Sequence, residues 1–174
     1  HCGNWIEEEN RKPNHIKTKL VSIITSAKRN VSDHLKRHEL ISRHSDKIDV
    51  MGRGYTPIEP ISKGLKDYMF HIAMENQVKD YYFTEKIINP IMTGTIPIYY
   101  GPECVKKVFD PRGIIFFNDI DQIPNILNTL DSTIYDIYIK LNLDITILES
   151  QMSNTYLLNI VEDYSKISTR YSIV

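Results

Sequence analysis

Five short apolar runs, spaced by helical patterns and tight turns, constrain the fold of this chain more than any other feature. "KLVSIITS" (19–26), "KIDVMGRG" (47–54), "YMFHIAMEN" (68–76), "TIPIYYG" (95–101) and "GIIFFND" (113–119) are strand-length and rich in β-branched or aromatic residues. Residues 32–44, 84–94, 103–109 and 121–130 carry helical spacing or helix-start chemistry, and 133–170 read as two more helices. Strands alternating with helices over short connections specify an α/β, Rossmann-like parallel sheet with helices on both faces. The strands are continuously apolar rather than alternating, as a sheet covered on both sides requires.

That architecture also says where a ligand belongs. Doubly wound sheets bind at the carboxyl ends of their strands, where helix N-termini point their free N–H groups and favour anions. The polar residues follow this rule. Ser26 to Arg29 end the first strand, Gly52 to Gly54 the second, Glu75 and Asn76 the third, and Tyr99 to Gly101 the fourth.

The chain has 174 residues, enough for one domain and a tail. Residues 1–18 read as a polar lead-in or linker, 19–150 as the nucleotide-binding sheet domain, and 151–174 as a C-terminal helix. The net charge of −1 gives no electrostatic pointer to nucleic acid. Two cysteines, Cys2 and Cys104, make neither a disulfide framework nor a zinc site. "HELISRH" (38–44) lacks the second histidine at the spacing of a metalloprotease helix, and no third ligand joins His34 and His38, so no metal is expected. The start, His1-Cys2-Gly3, is not a natural initiator, so the chain is expected to be part of a longer one.

The stretch 75–101, "ENQVKDYYFTEKIINPIMTGTIPIYYG", asks for a chemical explanation. A lysine at a helix start opposes the helix dipole. Read alone, the spacing leaves two options open. Glu85 is a helix-start charge beside a surface Lys86, or the Lys86 ammonium completes the neutralisation of a diphosphate seated on the helix N-terminus. On the second option Glu85 accepts hydrogen bonds from ribose or sugar hydroxyls, and Tyr82 stacks on a base or closes a sugar pocket.

"YMFHIAMENQVKDYYFTEKIINPIMTGTIPIYYGP" resembles the donor-binding motif of the α-1,3/1,4-fucosyltransferases, glycosyltransferase family 10. Tyr68, Phe70, Glu75, Asn76, Tyr82, Thr84, Glu85, Lys86, Gly94, Pro97 and Gly101 match that pattern in order and spacing. Gln77 replaces the usual Ser and Met74 the usual Phe. The upstream "KRHELISRH" and "KIDVMGRG" and the downstream "FDPRGIIFFNDID" are similar to further family segments, and coverage runs over about residues 18–150.

The resemblance implies the C-terminal, nucleotide-sugar-binding half of a two-domain GT-B enzyme that inverts configuration in transferring fucose from GDP-fucose to a glycan hydroxyl. It implies that Arg37 and Lys86 neutralise the diphosphate, with Arg29 as the alternative arginine because it sits closer to the strand end. Glu85 would hold sugar hydroxyls, Tyr82 would line the donor pocket, Asn76 would meet the phosphate–sugar region, and Glu75 would be a further donor-binding residue. GDP-fucose is the donor substrate, and no obligatory cofactor or metal is implied. The catalytic base would lie in an N-terminal acceptor domain outside this chain, leaving the isolated piece weak or inactive. The helices after 133 would pack on that domain or, without it, form a homodimer. The compartment would be the Golgi lumen for a eukaryotic source and the cytoplasm or a membrane periphery for a bacterial or viral one. Two rival classes remain: a GT-B transferase domain for another nucleotide sugar, and a non-catalytic nucleotide-sugar or glycan-binding module. The donor reading requires Lys86 to face the carboxyl rim of the sheet and not to be buried in an ion pair.

Overall fold

A computed structural model describes residues 5–11, 14–29 and 32–140. Its strands are β1 (Lys19–Ile24), β2 (Asp49–Met51), β3 (Tyr68–Met74), β4 (Ile96–Tyr100) and β5 (Ile115–Phe116). They form one sheet in the order β2-β1-β3-β4-β5, and every neighbouring pair is parallel. The helices are α1 (Ser32–His44), α2 (Glu85–Met92), α3 (Ile123–Thr129) and α4 (132–140). The second helix expected within 133–170, and the domain boundary at 150, lie outside the described residues.

Alternation along β3 and β4 divides the core between two faces. Phe70, Ile72, Met74, Ile96, Ile98 and Tyr100 point to one face and pack with Leu40 and Ile41 of α1, Ile123 and Leu127 of α3, and Tyr135 of α4. Ala73 and Tyr99 point to the other and pack with Ile87 of α2, Phe83 and Val105. Both faces of the central strands are therefore covered, which is why these strands read as nearly continuous apolar runs, with His71 the one polar residue in them apart from tyrosines. Full burial of side chains of this size stabilises the fold by roughly 1.5–3 kcal/mol each.

Two strands are shorter than their sequence runs. β2 stops at Met51 because Gly52 adopts φ 114°, where a Cβ would lie 2.0 Å from the Thr25 carbonyl oxygen. Only glycine accepts both that dihedral and that approach. β5 keeps two residues because the turn Pro111–Gly113 immediately precedes it, although Phe117 N still donates to Tyr99 O at 3.1 Å.

The polar segment ahead of β1 is less exposed than its composition predicts. Ile6 is buried, and the Trp5 backbone N–H donates to Asn89 Oδ1 of α2 at 3.0 Å. Lys17 donates to Lys66 O, Thr93 O and Thr95 Oγ1 at 2.8–3.0 Å, which fastens the segment to the starts of β3 and β4. No described helix is long and apolar enough to cross a membrane.

Candidate donor site at the carboxyl rim

The strand order reverses direction between β1 and β3, so the crevice that a doubly wound sheet offers a ligand opens at the carboxyl ends of those two strands. Four segments meet there: the loop after β1, the first turns of α1, the end of β3 and the N-terminus of α2. Met51 O accepts from Thr25 N, and Arg53 O from Ala27 N, both at 2.8 Å, so the loops after β1 and β2 stay zipped beyond the strands.

Glu75 organises the rim. Its side chain is fully buried one residue past β3. One carboxylate oxygen accepts from Thr84 N at 2.8 Å and Tyr99 OH at 3.2 Å; the other accepts from Thr84 Oγ1 at 2.7 Å. Burial raises the Glu75 pKa, and Lys86, Thr84 and Tyr99 oppose the rise. Thr84 is the N-cap of α2, in extended conformation, so the carboxylate fixes the entry of the chain into that helix.

Lys86 faces the carboxyl rim, as the donor reading requires. It is not a free cation, however. Its Nζ lies 3.0 Å from Thr84 Oγ1, 3.2 Å from Glu85 Oε1 and 3.7 Å from Glu75 Oε2. The buried Glu75 charge needs a nearby countercharge, and Lys86 supplies it while keeping 24% of its side chain exposed. Glu85 keeps 18%.

Arg37 departs further from expectation. It is 6% exposed and donates to Met74 O at 2.6 Å, Asn76 Oδ1 at 3.2 Å, and Thr25 Oγ1 and Glu75 O at 3.4 Å. Burial pulls its pKa down while Glu75 and Asp33 push it up. The guanidinium thus ties α1 to the ends of β1 and β3 and turns inward, as does Glu75. Asn76 joins this cluster through its side-chain oxygen. Arg29 is exposed on the loop after β1, and Tyr82 is 41% exposed on the loop before α2, where Tyr81 takes φ 62°.

Three rim residues have environments that their sequence positions do not assign. Thr84 matches the family motif, but spacing does not reveal that its N–H and hydroxyl both go to Glu75. Tyr99 appeared only as the end of a strand, although a tyrosine hydroxyl in an otherwise buried strand must find a partner, and that signal was available. His34 carried none: its Nδ1 is the one buried side-chain polar atom without a hydrogen-bond partner among the described residues, and burial together with Arg37 holds its pKa below the ordinary value. No group of His, Cys, Asp and Glu suited to a metal ion occurs among the described residues.

The model of the C-terminal part of glycosyltransferase family 10 (fucosyltransferase) matches residues 14–163. The chain belongs to glycosyltransferase family 10. Among relatives of this family 10 chain, the 3-galactosyl-N-acetylglucosaminide 4-alpha-L-fucosyltransferase of Bos taurus is 32% identical over 108 residues, covering 59% of this chain and 29% of that protein. The 4-galactosyl-N-acetylglucosaminide 3-alpha-L-fucosyltransferase of Pongo pygmaeus is 31% identical over 126 residues, covering 66% and 35%. The alpha-(1,3)-fucosyltransferase of Helicobacter pylori is 40% identical over 55 residues, covering 32% and 12%. The chain thus spans about a third or less of the length of these relatives. A solved alpha1,3-fucosyltransferase structure superposes with a TM-score of 0.56 at 24% identity, covering 75% of this chain and 39% of the other. A structure of alpha1,3-fucosyltransferase with GDP-fucose gives 0.55 at 23%, covering 77% and 40%. These likenesses establish the fold as that of the C-terminal part of such enzymes.

Proposed function

We propose that this chain is the donor-binding half of an inverting fucosyltransferase and holds GDP-fucose at the carboxyl rim between β1, β3 and the N-terminus of α2. The observation that carries the reading is the Thr84-Glu85-Lys86 turn. It places an ammonium, a partly exposed carboxylate and the first N–H groups of a helix together beside the strand-order reversal. Family membership and the GDP-fucose bound by a structural neighbour support the choice of nucleotide and sugar.

In this reading the diphosphate draws Lys86 away from its carboxylates, because two phosphate charges outcompete ion pairs that keep only part of the lysine in solvent. Glu85 then accepts hydrogen bonds from ribose or fucose hydroxyls, and Tyr82 and Asn76 border the sugar and phosphate. Arg37 adds fixed positive charge from beneath, and Arg29 is the exposed cation on the loop above β1. As a glycan hydroxyl oxygen attacks the anomeric carbon, the bond to the β-phosphate oxygen breaks and its electron pair passes to GDP. Lys86 stabilises that departing charge, an interaction that strengthens in the transition state. No residue of this chain is assigned as the base that takes the hydroxyl proton.

Isothermal titration tests the reading. GDP binds the parent chain, UDP binds more weakly, and Lys86→Ala reduces GDP affinity roughly 10- to 100-fold through loss of a charge-assisted contact. No heat with the parent at millimolar GDP would overturn the assignment.

A further inference from the structure

The Glu75 carboxyl is fully buried, where no ligand reaches it. Burying a carboxylate is costly unless each oxygen is satisfied, and this one is satisfied by the backbone N–H and the hydroxyl of Thr84 at the α2 entry and by the Tyr99 hydroxyl of β4. Thr84 Oγ1 stands between it and Lys86. The hydroxyl donates to Glu75 Oε2 at 2.7 Å and accepts from Lys86 Nζ at 3.0 Å. Glu75 itself is 3.7 Å from that ammonium, beyond direct hydrogen bonding. Carboxylate, hydroxyl and ammonium therefore form a directed relay. The acceptor at its buried end orients the hydroxyl so that its lone pairs face the lysine.

We propose that Glu75 is a positioning residue for the diphosphate, acting through the Thr84 hydroxyl to hold Lys86 at the rim. The inference rests on the donor-site reading above. Glu75 acts at a distance here; it contacts neither phosphate nor sugar. Tyr99 completes the device from β4, because its hydroxyl shares the Glu75 oxygen that also accepts Thr84 N, and so fixes the carboxylate rotamer. A purely structural role would lower the stability of the α2 entry and affect every ligand contact alike. A positioning role acts through one cation.

A double-mutant cycle on the full chain separates the two, read by isothermal titration with GDP. Thr84→Val removes the hydroxyl at constant shape and is expected to weaken GDP binding about 10-fold. Thr84→Ser keeps the hydroxyl and restores affinity to within about twofold. In a Lys86→Ala background Thr84→Val changes affinity less than about twofold, since the group it positions is gone. Glu75→Gln, which keeps size and an acceptor for Thr84 N, carries the same comparison should Thr84→Val fail to fold, with thermal melting as the check on folding. Two results overturn the inference while leaving the donor site intact: parent-like GDP binding by Thr84→Val alongside a weak Lys86→Ala, or equal losses from Thr84→Val in both backgrounds. A parent that does not bind GDP removes the donor site and the inference together.

Discussion

Two lysines sit at opposite ends of the same sheet and are held differently. At the amino edge, Lys17 meets three acceptors without charge: Lys66 O at 2.9 Å, Thr93 O at 2.8 Å and Thr95 Oγ1 at 3.0 Å. At the carboxyl rim, Lys86 meets one hydroxyl and two carboxylates and keeps 24% of its side chain in solvent. Burial pulls Lys17 down to about 7, with Asp67 opposing. An ammonium whose donors are matched by fixed neutral groups is a fastener. One held by carboxylates beside open water is, on the proposed function, the one that a diphosphate would recruit. Pairing by itself does not remove a cation from function; the kind of acceptor and the remaining exposure decide.

Arg37 is where that comparison breaks most severely, because it is a rim cation held like a fastener. Arg37→Met leaves the Met74 carbonyl without its donor and takes one of two countercharges from the buried Glu75. Breaking a buried charge cluster on one side costs about 3–5 kcal/mol. The urea midpoint should fall accordingly, well beyond what loss of a surface cation produces.

Lys17→Met ranks next. It leaves neutral acceptors at an edge where water reaches part of the site, at about 1–3 kcal/mol. Its pH signature is distinctive. The folded pKa of Lys17 lies below the unfolded value of 10.5, so between about 7 and 10.5 the unfolded chain binds the extra proton. The stability contributed by Lys17 is complete above that window and is lost as pH falls through it. Urea titrations of parent and variant from pH 7 to 10 should show the parent gaining stability relative to Lys17→Met.

The two lysines were not equally legible in the sequence. Lys86 lies in a run whose Thr cap, helix-start Glu85 and closing Gly94 mark α2 directly, so its place at the rim followed from element order. Lys17 lies in a polar stretch with no periodicity, and its three acceptors come from residues 66, 93 and 95, contacts that local spacing does not encode. The burial of Arg37 was hidden for a related reason: its place on a charged helix does not reveal that the packing of α1 over the ends of β1 and β3 turns it inward. The five parallel strands were legible because each is a mostly apolar run between turn residues. β5 was overestimated because apolar content continues past the two residues that pair, set by the turn at Pro111–Gly113. The hydrogen bonds of Glu75 depend on a return of the chain nine residues later, at Thr84, which the motif contains and spacing does not explain.

The smallest effect sharpens the comparison most. Lys86→Met should cost only about 1 kcal/mol at pH 7, because the ammonium is itself partly solvated and Arg37 remains as a second countercharge to Glu75. The pH dependence of that loss is the informative part. Burial holds the Glu75 pKa above its ordinary value of 4.5, and Lys86 is the first influence pulling it back. A carboxyl whose folded pKa is raised contributes its stability fully below 4.5 and loses it as pH rises through the folded value. Without Lys86 that window extends upward, so the variant falls behind the parent as pH climbs from 4.5 towards neutrality, and the two curves converge in acid. Chemical denaturation between pH 4 and 8 measures the difference. A gap that stays constant across that range would mean that Glu75 does not sense Lys86, and the rim lysine would then be a surface charge next to a buried carboxylate rather than its partner.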